Sequence, residues 1–417
     1  LLDPASALDQ RGDCLIEDGR IAALGPDCAV NRLPPGTTVI HCGGRLLCPG
    51  LIDMRVFIGE PGYEHRETLR SAGRAAAVGG VTTIVMMPDT DPVIDDPALV
   101  DFVLRRARDN ALARVVPMAA LTKGLAGLEM TEMGLLKWAG AAAFTSGKRS
   151  ITNAQIMRRV LTYARDFDAL VVHHVEDPNL VGEGMMNEGE FAARLGLTGI
   201  PTVAEVIPLE RDMRLVALTG ARYHAALVSC ADSIEVIRVA KKRGLPVTCG
   251  VSIANLTLNE NDIGDYRTFF KMAPPLRSEA DRLACVEGLA DGTIDVIVSN
   301  HDPQHVETKR YPFAEAENGA IGLETLLPAA LRLVHAGAVD LATVIKAMTA
   351  TPAALLTLPQ GRLVVGAPGD VVIVDLDEPW VLREDDIRSR SKNTPFERAR
   401  FQGRATTTIV AGRVVHS

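Results

Sequence analysis

Aromatic residues are scarce in this chain of 417 residues: 4% in all, with only two tryptophans. That excludes the aromatic stacking platform on which single-stranded nucleic acids are held. A basic excess is missing too. The formal net charge is -8, with acids and bases mixed along the chain and no basic stripe to receive nucleic acid. No apolar run reaches the ~18 residues that would span a bilayer, and no charged-then-apolar leader opens the chain. Leu1 is not a methionine, so the true beginning is expected upstream. The seven cysteines, at 14, 28, 42, 48, 230, 249 and 285, include no Cys-x-x-Cys pair and are odd in number. They read as buried, reduced thiols of a cytoplasmic protein, not as a disulfide framework or a thiolate metal site. A Gly-rich phosphate loop and a Gly-x-Ser-x-Gly elbow are also absent, and Cys230 has no activating context.

What is present is an ordinary globular composition, 47% hydrophobic and 23% charged, enough to bury a sizeable core. From residue 50 to 357, apolar strand-like runs alternate with amphipathic helical segments. The runs are Leu51 onward, Thr82–Met87, Arg114–Met118, Ala141–Thr145, Leu170–His174, Tyr223–Ser229, Pro246–Cys249 and Asp295–Ser299. Between them lie Glu64–Val78, Pro97–Asn110, Asn153–Asp166, Val203–Thr219, Ala231–Arg243 and Ser278–Gly288. About eight βα repeats in ~300 residues is the size and pattern of a (β/α)8 TIM barrel; a doubly wound open sheet is the competing arrangement. A barrel places its chemistry at the C-terminal strand ends.

Both termini are β-rich. Cys14–Gly25 contains an Asp-Gly hairpin signal, followed by Thr38–Ile40 and Arg45–Leu47. Arg362–Val365, Asp370–Val374 and Thr408–Val415 supply partners at the other end. Neither set is stable alone. The expectation is an α/β protein with a barrel over residues 49–357 and a small β-sandwich built from 1–48 and 358–417.

Local motifs run through nearly the whole chain: Pro49-Gly50-Leu51-Ile52-Asp53-Met54, Glu60-Pro61-Gly62, Ala77-Val78-Gly79-Gly80-Val81-Thr82-Thr83, Met87-Pro88-Asp89-Thr90, Glu176-Asp177-Pro178, Met186-Asn187-Glu188-Gly189, Pro274-Pro275-Leu276-Arg277, Asp291-Gly292-Thr293-Ile294-Asp295, Pro312-Phe313-Ala314-Glu315 and Asn393-Thr394-Pro395-Phe396. Together they resemble the dihydroorotase family of the amidohydrolase superfamily. The resemblance implies the barrel and its terminal β-domain. It also implies hydrolysis or closure of a cyclic amide by one or two zinc ions, which acidify a bound water and polarise the carbonyl.

The site residues depart from that pattern. The family ends its first strand with His-x-His; Arg55 and Phe57 stand there. Neither can ligate, and a guanidinium repels a cation. Ser146 lies at or near the fourth-strand carboxylate or carboxylated-lysine position, with Lys148 two residues on. His174 matches the retained fifth-strand histidine, with His173 facing the other way. The sixth-strand ligand position is Leu227; His224 before it reads as a core histidine. The last strand's Asp, ligand and general base in the family, is Asn300. Substrate positions change too: Gly59 replaces an arginine, Asp89 an asparagine and Ala273 an asparagine. A metal site rebuilt from His301, Asp302, His305 and His174 competes with a polar loop left over from substrate binding. Glu188 and Glu205 read as structural acceptors, and Arg105-Arg106-Ala107-Arg108 as a solvated helix face or a partner surface.

The resemblance therefore implies a dihydroorotase-like protein of pyrimidine biosynthesis lacking zinc and activity, acting as a structural or regulatory partner of aspartate transcarbamoylase. A vestigial pocket of Arg55, Asp89, His301, Asp302 and His305 is expected, with no cofactor and no metal. The first alternative is an active dihydroorotase or related cyclic amidohydrolase with zinc in a rearranged site. The second is a metabolite-binding sensor. Homo-oligomerisation stays open; nucleic acid and membrane are not expected partners.

Overall fold

The computed structural model describes residues 1–28, 33 and 36–417. Eight parallel strands form its centre. They are β1 Leu51–Val56, β2 Val81–Met86, β3 Arg114–Pro117 (resuming as Ala119–Ala120), β4 Phe144–Thr145, β5 Val171–His173, β6 Tyr223–Ala225, β7 Val247–Ser252 and β8 Val296–Val298. Each pairs in parallel with the next: Ile84 lies opposite Val115, Phe144 opposite Val171, Ala225 opposite Cys249, Val251 opposite Ile297. The ring closes because Val56 bridges His301 and the Phe57 N–H donates to the His301 carbonyl at 2.8 Å. This is the (β/α)8 barrel that the repeat pattern predicts, and closure removes the sheet edges.

Helices α1 Leu69–Val78, α2 Pro97–Asn110, α3 Met133–Ala139, α4 Ala154–Asp166, α5 Val203–Thr219, α6 Ala231–Lys242, α7 Glu279–Ala290, α8 Leu326–His335 and α9 Leu341–Met348 surround it. Thr68, Asp96, Asn153 and Ser278 accept hydrogen bonds from the first-turn amides of α1, α2, α4 and α7, satisfying groups a helix leaves orphaned. The segment read as helical from Glu64 begins only at Leu69. Thr68 and Ser71 form a capping box there, and the Glu67 carboxylate is drawn off to His301 and Ser389.

Two packed layers follow from the strand period of two. Ile52 and Met54 point into the barrel with Val85, Met118, Val172 and Leu227. Leu51, Ile84, Val115 and Cys249 point outward under the helices. Among the described residues no helix is long and apolar enough to cross a membrane.

The terminal segments meet in one antiparallel sheet, ordered Arg413–His416, Arg400–Val410, Val371–Val381, Leu46–Pro49. Gly50 then donates to the Asp370 carbonyl at 2.9 Å, so the chain passes from this sheet directly into β1. The hairpin Asp13–Glu17 and Arg20–Gly25 turns through Asp18 and Gly19, both at positive φ, 47° and 74°. Its Ile21 joins Leu47, Leu363, Val371, Ile373 and Ile409 in a separate small core. Two expected strands are not formed: Thr38–Ile40 and Arg362–Val365 are irregular. Leu363 is used differently, its N–H donating at 2.9 Å to the buried Asp3 carboxylate. Part of the expected sandwich segment 1–48 lies outside the described residues.

Candidate functional site

A cavity of about 510 Å³ opens at the C-terminal end of the barrel, floored by Arg55, Asn300 and His174. The strand period alone would not put Arg55 there, because continuing inward from Ile52 and Met54 it places residue 55 outside. The ladder between β1 and β2 instead slips between Asp53 and Val56: three steps on β1 match two on β2. Such a bulge re-aims side chains. It turns Arg55 and Phe57 to the mouth. Asp53 supports it, its Oδ1 accepting the Arg55 N–H at 3.2 Å and the Ser299 N–H at 3.3 Å. Burial pushes the Asp53 carboxyl up to about 6, against those hydrogen bonds.

Arg55 is 6% exposed. Its Nε donates to Asn300 Oδ1 at 3.0 Å, and Asn300 Nδ2 donates to the Ala273 carbonyl at 3.1 Å. Asn300 holds φ +51°, a left-handed conformation that asparagine tolerates. The two residues expected to bring a ligand imidazole and a ligand carboxylate are thus joined to each other.

Phe57 is also engaged. The Arg66 guanidinium lies 4.1 Å from its ring centroid and the Lys148 ammonium 4.4 Å. Both cations converge on Asp302 Oδ1, at 2.8 and 2.5 Å. A ring face attracts cations through its quadrupole, so this arrangement presents positive charge where the family places a metal. Lys148 acts as an ammonium donor here; a carboxylated lysine would repel Asp302. At Gly59 a Cβ would lie 2.1 Å from the Tyr63 carbonyl oxygen, so no side chain fits.

Ser146 does not face a ligand. Its Oγ accepts the His174 N–H at 3.0 Å and ties β4 to β5. His174 Nε2 lies 3.5 Å from Glu176. Burial raises the Glu176 carboxyl, but His174 and then Arg277 and Arg55 outweigh it and hold it below the usual range. His173 points outward to Asp212 on α5 at 2.7 Å. Leu227 packs in the barrel interior. His224 bonds Thr248 at 2.8 Å, and burial, with Lys241 and Arg55, drives its pKa down to about 3.

One residue of the expected pocket lies outside the lining, and a second reaches it with its imidazole already engaged. Asp89 is absent from the cavity lining, its Oδ1 accepting the Lys148 N–H at 3.0 Å. His301 contributes to the lining, but its imidazole is spent: Nε2 sits 3.3 Å from Glu67 and Nδ1 accepts the Gly322 N–H at 3.2 Å. Asp302 and His305 do line the cavity, His305 also capping the short helix Val306–Arg310. Arg106 is likewise more than a solvated face, since it pairs at 2.7 Å with Glu60, whose other oxygen accepts the Leu69 N–H. Arg66 and Glu67 were not legible from any motif. Only the fold carries them to Asp302 and His301.

The zinc that the family implies does not fit these residues. Arg55, Phe57, Leu227 and Asn300 offer no imidazole, carboxylate or thiolate at four ligand positions. Among the described residues, no three His, Cys, Asp or Glu side chains converge in a way that could hold a metal ion. The set proposed from His301, Asp302, His305 and His174 is not assembled, because His301 faces Glu67.

The closed barrel with its terminal sheet is that of an amidohydrolase. Its backbone resembles L-hydantoinase (dihydropyrimidinase) from Arthrobacter aurescens, with a TM-score of 0.88 at 27% identity over 97% of this chain and 92% of the other. It resembles dihydropyrimidinase from Brevibacillus agri in fold, with a TM-score of 0.83 at 21% identity over 97% and 91%. A family model described as Dihydro-orotase-like matches residues 44–233, and one described as Amidohydrolase family matches 332–416. Among curated proteins the chain is 46% identical to a dihydroorotase of Syntrophotalea carbinolica, over all of this chain and 97% of the relative. It is 43% identical to one of Anaeromyxobacter dehalogenans, over 100% and 96%. The chain belongs to the dihydroorotase family.

Proposed function

We propose that this chain is a non-catalytic dihydroorotase homologue that serves as structural or regulatory partner of aspartate transcarbamoylase in pyrimidine biosynthesis. The carrying observation is the Arg55–Asn300 pair: a guanidinium bonded to an amide takes the place of metal ligand and general base together. The partner follows from the resemblance. An apolar surface supports an assembly role: Leu135 and Trp138, three apart on α3, are 55% and 93% exposed.

Full-length identity of 46% to a protein named dihydroorotase favours a second reading, an active cyclic amidase using a rearranged metal site. Metal analysis joined to size-exclusion chromatography, with and without the organism's aspartate transcarbamoylase, separates the two. The scaffold reading expects co-elution and no stoichiometric zinc. Hydrolysis of dihydroorotate at an enzymic rate by zinc-supplemented protein overturns it.

A further inference from the structure

We propose that a second cavity, between the barrel and the terminal sheet, binds a small phosphomonoester through Arg383, Arg388 and Arg404. The inference goes beyond the scaffold role and stands whether or not that role holds.

The cavity has a volume of about 360 Å³, within the range of small-molecule sites. It shares no lining residue with the barrel mouth. The last turn of α1 and the first turn of α8 make one wall, with Val78 and Pro328. The strands Val371–Val381, Arg400–Val410 and Arg413–His416 make the other, with Trp380, Arg404 and His416. The segment after Val381 brings Arg383 and Arg388 to the same space.

Charge marks this cavity. Among the described residues, the side chains of Arg383 and Arg388 have no hydrogen-bond or ion-pair partner. The Arg404 guanidinium lies 5.1 Å from the Trp380 ring centroid and reaches Glu378 only at 3.7 Å. Trp380 is itself fixed, its Nε1 donating to the Gly403 carbonyl at 3.0 Å and its ring stacked on Phe401 at 5.2 Å. Arg404 is thus held against a rigid ring with donors to spare. His416 feels the field: burial, then Arg404 and Arg388, lower its imidazole below the ordinary value. Two carboxylates line the cavity, Glu324 and Asp386. Glu324 is turned to the Arg388 and Ser389 N–H groups, at 2.5 and 2.9 Å. That leaves Asp386 against three guanidinium groups.

An excess of cations favours a dianion concentrated on one group, because Coulomb attraction scales with charge. Guanidinium forks match phosphate oxygens with paired hydrogen bonds. The cavity is larger than a phosphate alone needs, and Val78, Pro328, Val381 and Ala405 offer apolar surface to an organic body.

Isothermal titration calorimetry of the full chain with ribose 5-phosphate, adenosine monophosphate and succinate, at matched ionic strength, tests this. Succinate carries its charge divided between two ends and serves as the control. Saturable one-to-one binding of a phosphomonoester is expected, weakened about tenfold or more in Arg388→Gln and in Arg404→Gln, the loss of a charge-assisted pair. The Arg388 side chain is exposed, so Arg388→Gln covers the case in which Arg404→Gln, which uncovers Trp380, fails to fold. The His416 imidazole, followed by NMR across pH, is expected to titrate higher in the saturated protein, because the bound anion offsets Arg404 and Arg388. Absence of phosphomonoester binding at millimolar concentration overturns the proposal. So does binding that Arg388→Gln leaves unchanged, succinate binding as tightly, or a His416 titration that does not move. None of these outcomes touches co-elution with aspartate transcarbamoylase.

Discussion

Behind β5 and β6, buried charge is fully occupied. Arg277 donates to Asn187, to the Ile200 carbonyl and to Ser229, and lies 3.6 Å from Glu205. Glu205 in turn accepts the Ser229 N–H at 2.8 Å and its hydroxyl. Asp212 accepts from His173, Tyr223 and Arg211. At the seam of β1 and β8 the pattern reverses. Among the described residues, Asp53 Oδ2 and Arg55 Nη1 there, and Asp89 Oδ2 beyond β2, are buried with no hydrogen-bond partner. Saturated networks hold architecture, whereas unmet buried polar groups call for an explanation such as a ligand. The two flanks of one barrel therefore separate structure from site.

The comparison breaks or sharpens on stability measurements. The largest effect is expected from Glu205→Ala, which strips Arg277 and Ser229 of their acceptor; it costs about 3–5 kcal/mol in urea unfolding. A cost smaller than that of any substitution at the seam would refute the saturated-flank reading.

Next is Glu324, on the far side of His301 from the cavity. Burial pushes its carboxyl up to about 7, against hydrogen bonds from the Arg388 and Ser389 amides. The folded protein then keeps a proton that the unfolded chain releases first, so stability falls as pH rises from the ordinary glutamate value to about 7. Glu324→Gln should flatten that slope, whose full height is on the order of 3 kcal/mol. Unfolding curves across the window decide it.

Asp212→Asn is expected to cost about 2 kcal/mol at neutral pH, a charged hydrogen bond's share. Burial raises the Asp212 carboxyl, but His173, Arg211 and Tyr223 outweigh it, so its folded pKa is depressed. Its stabilisation is present above the ordinary aspartate value and is lost as pH falls through the folded one. Acid unfolding of the variant should therefore begin from lower stability and fall less steeply.

Arg55→Leu is the smallest. It removes the hydrogen bond to Asn300 but also a desolvated charge, so stability should not fall and is expected to rise by about 1 kcal/mol. A loss as large as that of Glu205→Ala, in calorimetric unfolding, would make Arg55 architectural.

Much of the fold was legible. The helical segments from Pro97, Asn153 and Ser278 begin within a residue of where they are expected, and the apolar runs of β1 and β2 are buried strands. The misreadings have local causes. Thr38–Ile40 and Arg362–Val365 carry β propensity but find no ladder partner, and propensity without pairing is weak. The identity of the altered site residues was legible from position in the family pattern. Their contacts were not. Asp89 is expected in the pocket because it replaces the family's substrate-position asparagine, yet the Lys148 N–H takes its carboxylate. His301 lines the mouth as expected, but Glu67, separated from it by 234 positions, holds its ring.

By itself the sequence carried the βα repeat pattern of a barrel and showed the family's ligand positions filled by unconventional residues, because apolar runs and side-chain chemistry are local properties. It also put at family ligand positions Arg55, Phe57 and Leu227, which have no lone pair to give a metal, and Asn300, whose amide oxygen is a poor zinc ligand. The family pattern already implied Arg55 at the mouth; the tertiary structure decided how it gets there. A one-residue slip between β1 and β2 turns it from the helix side to the mouth, and that slip exists only in the register of two strands. It likewise decided that Arg66 and Lys148 meet over Phe57 and that, among the described residues, Arg55 Nη1 finds no partner, because charge balance in a closed barrel depends on which distant residues converge.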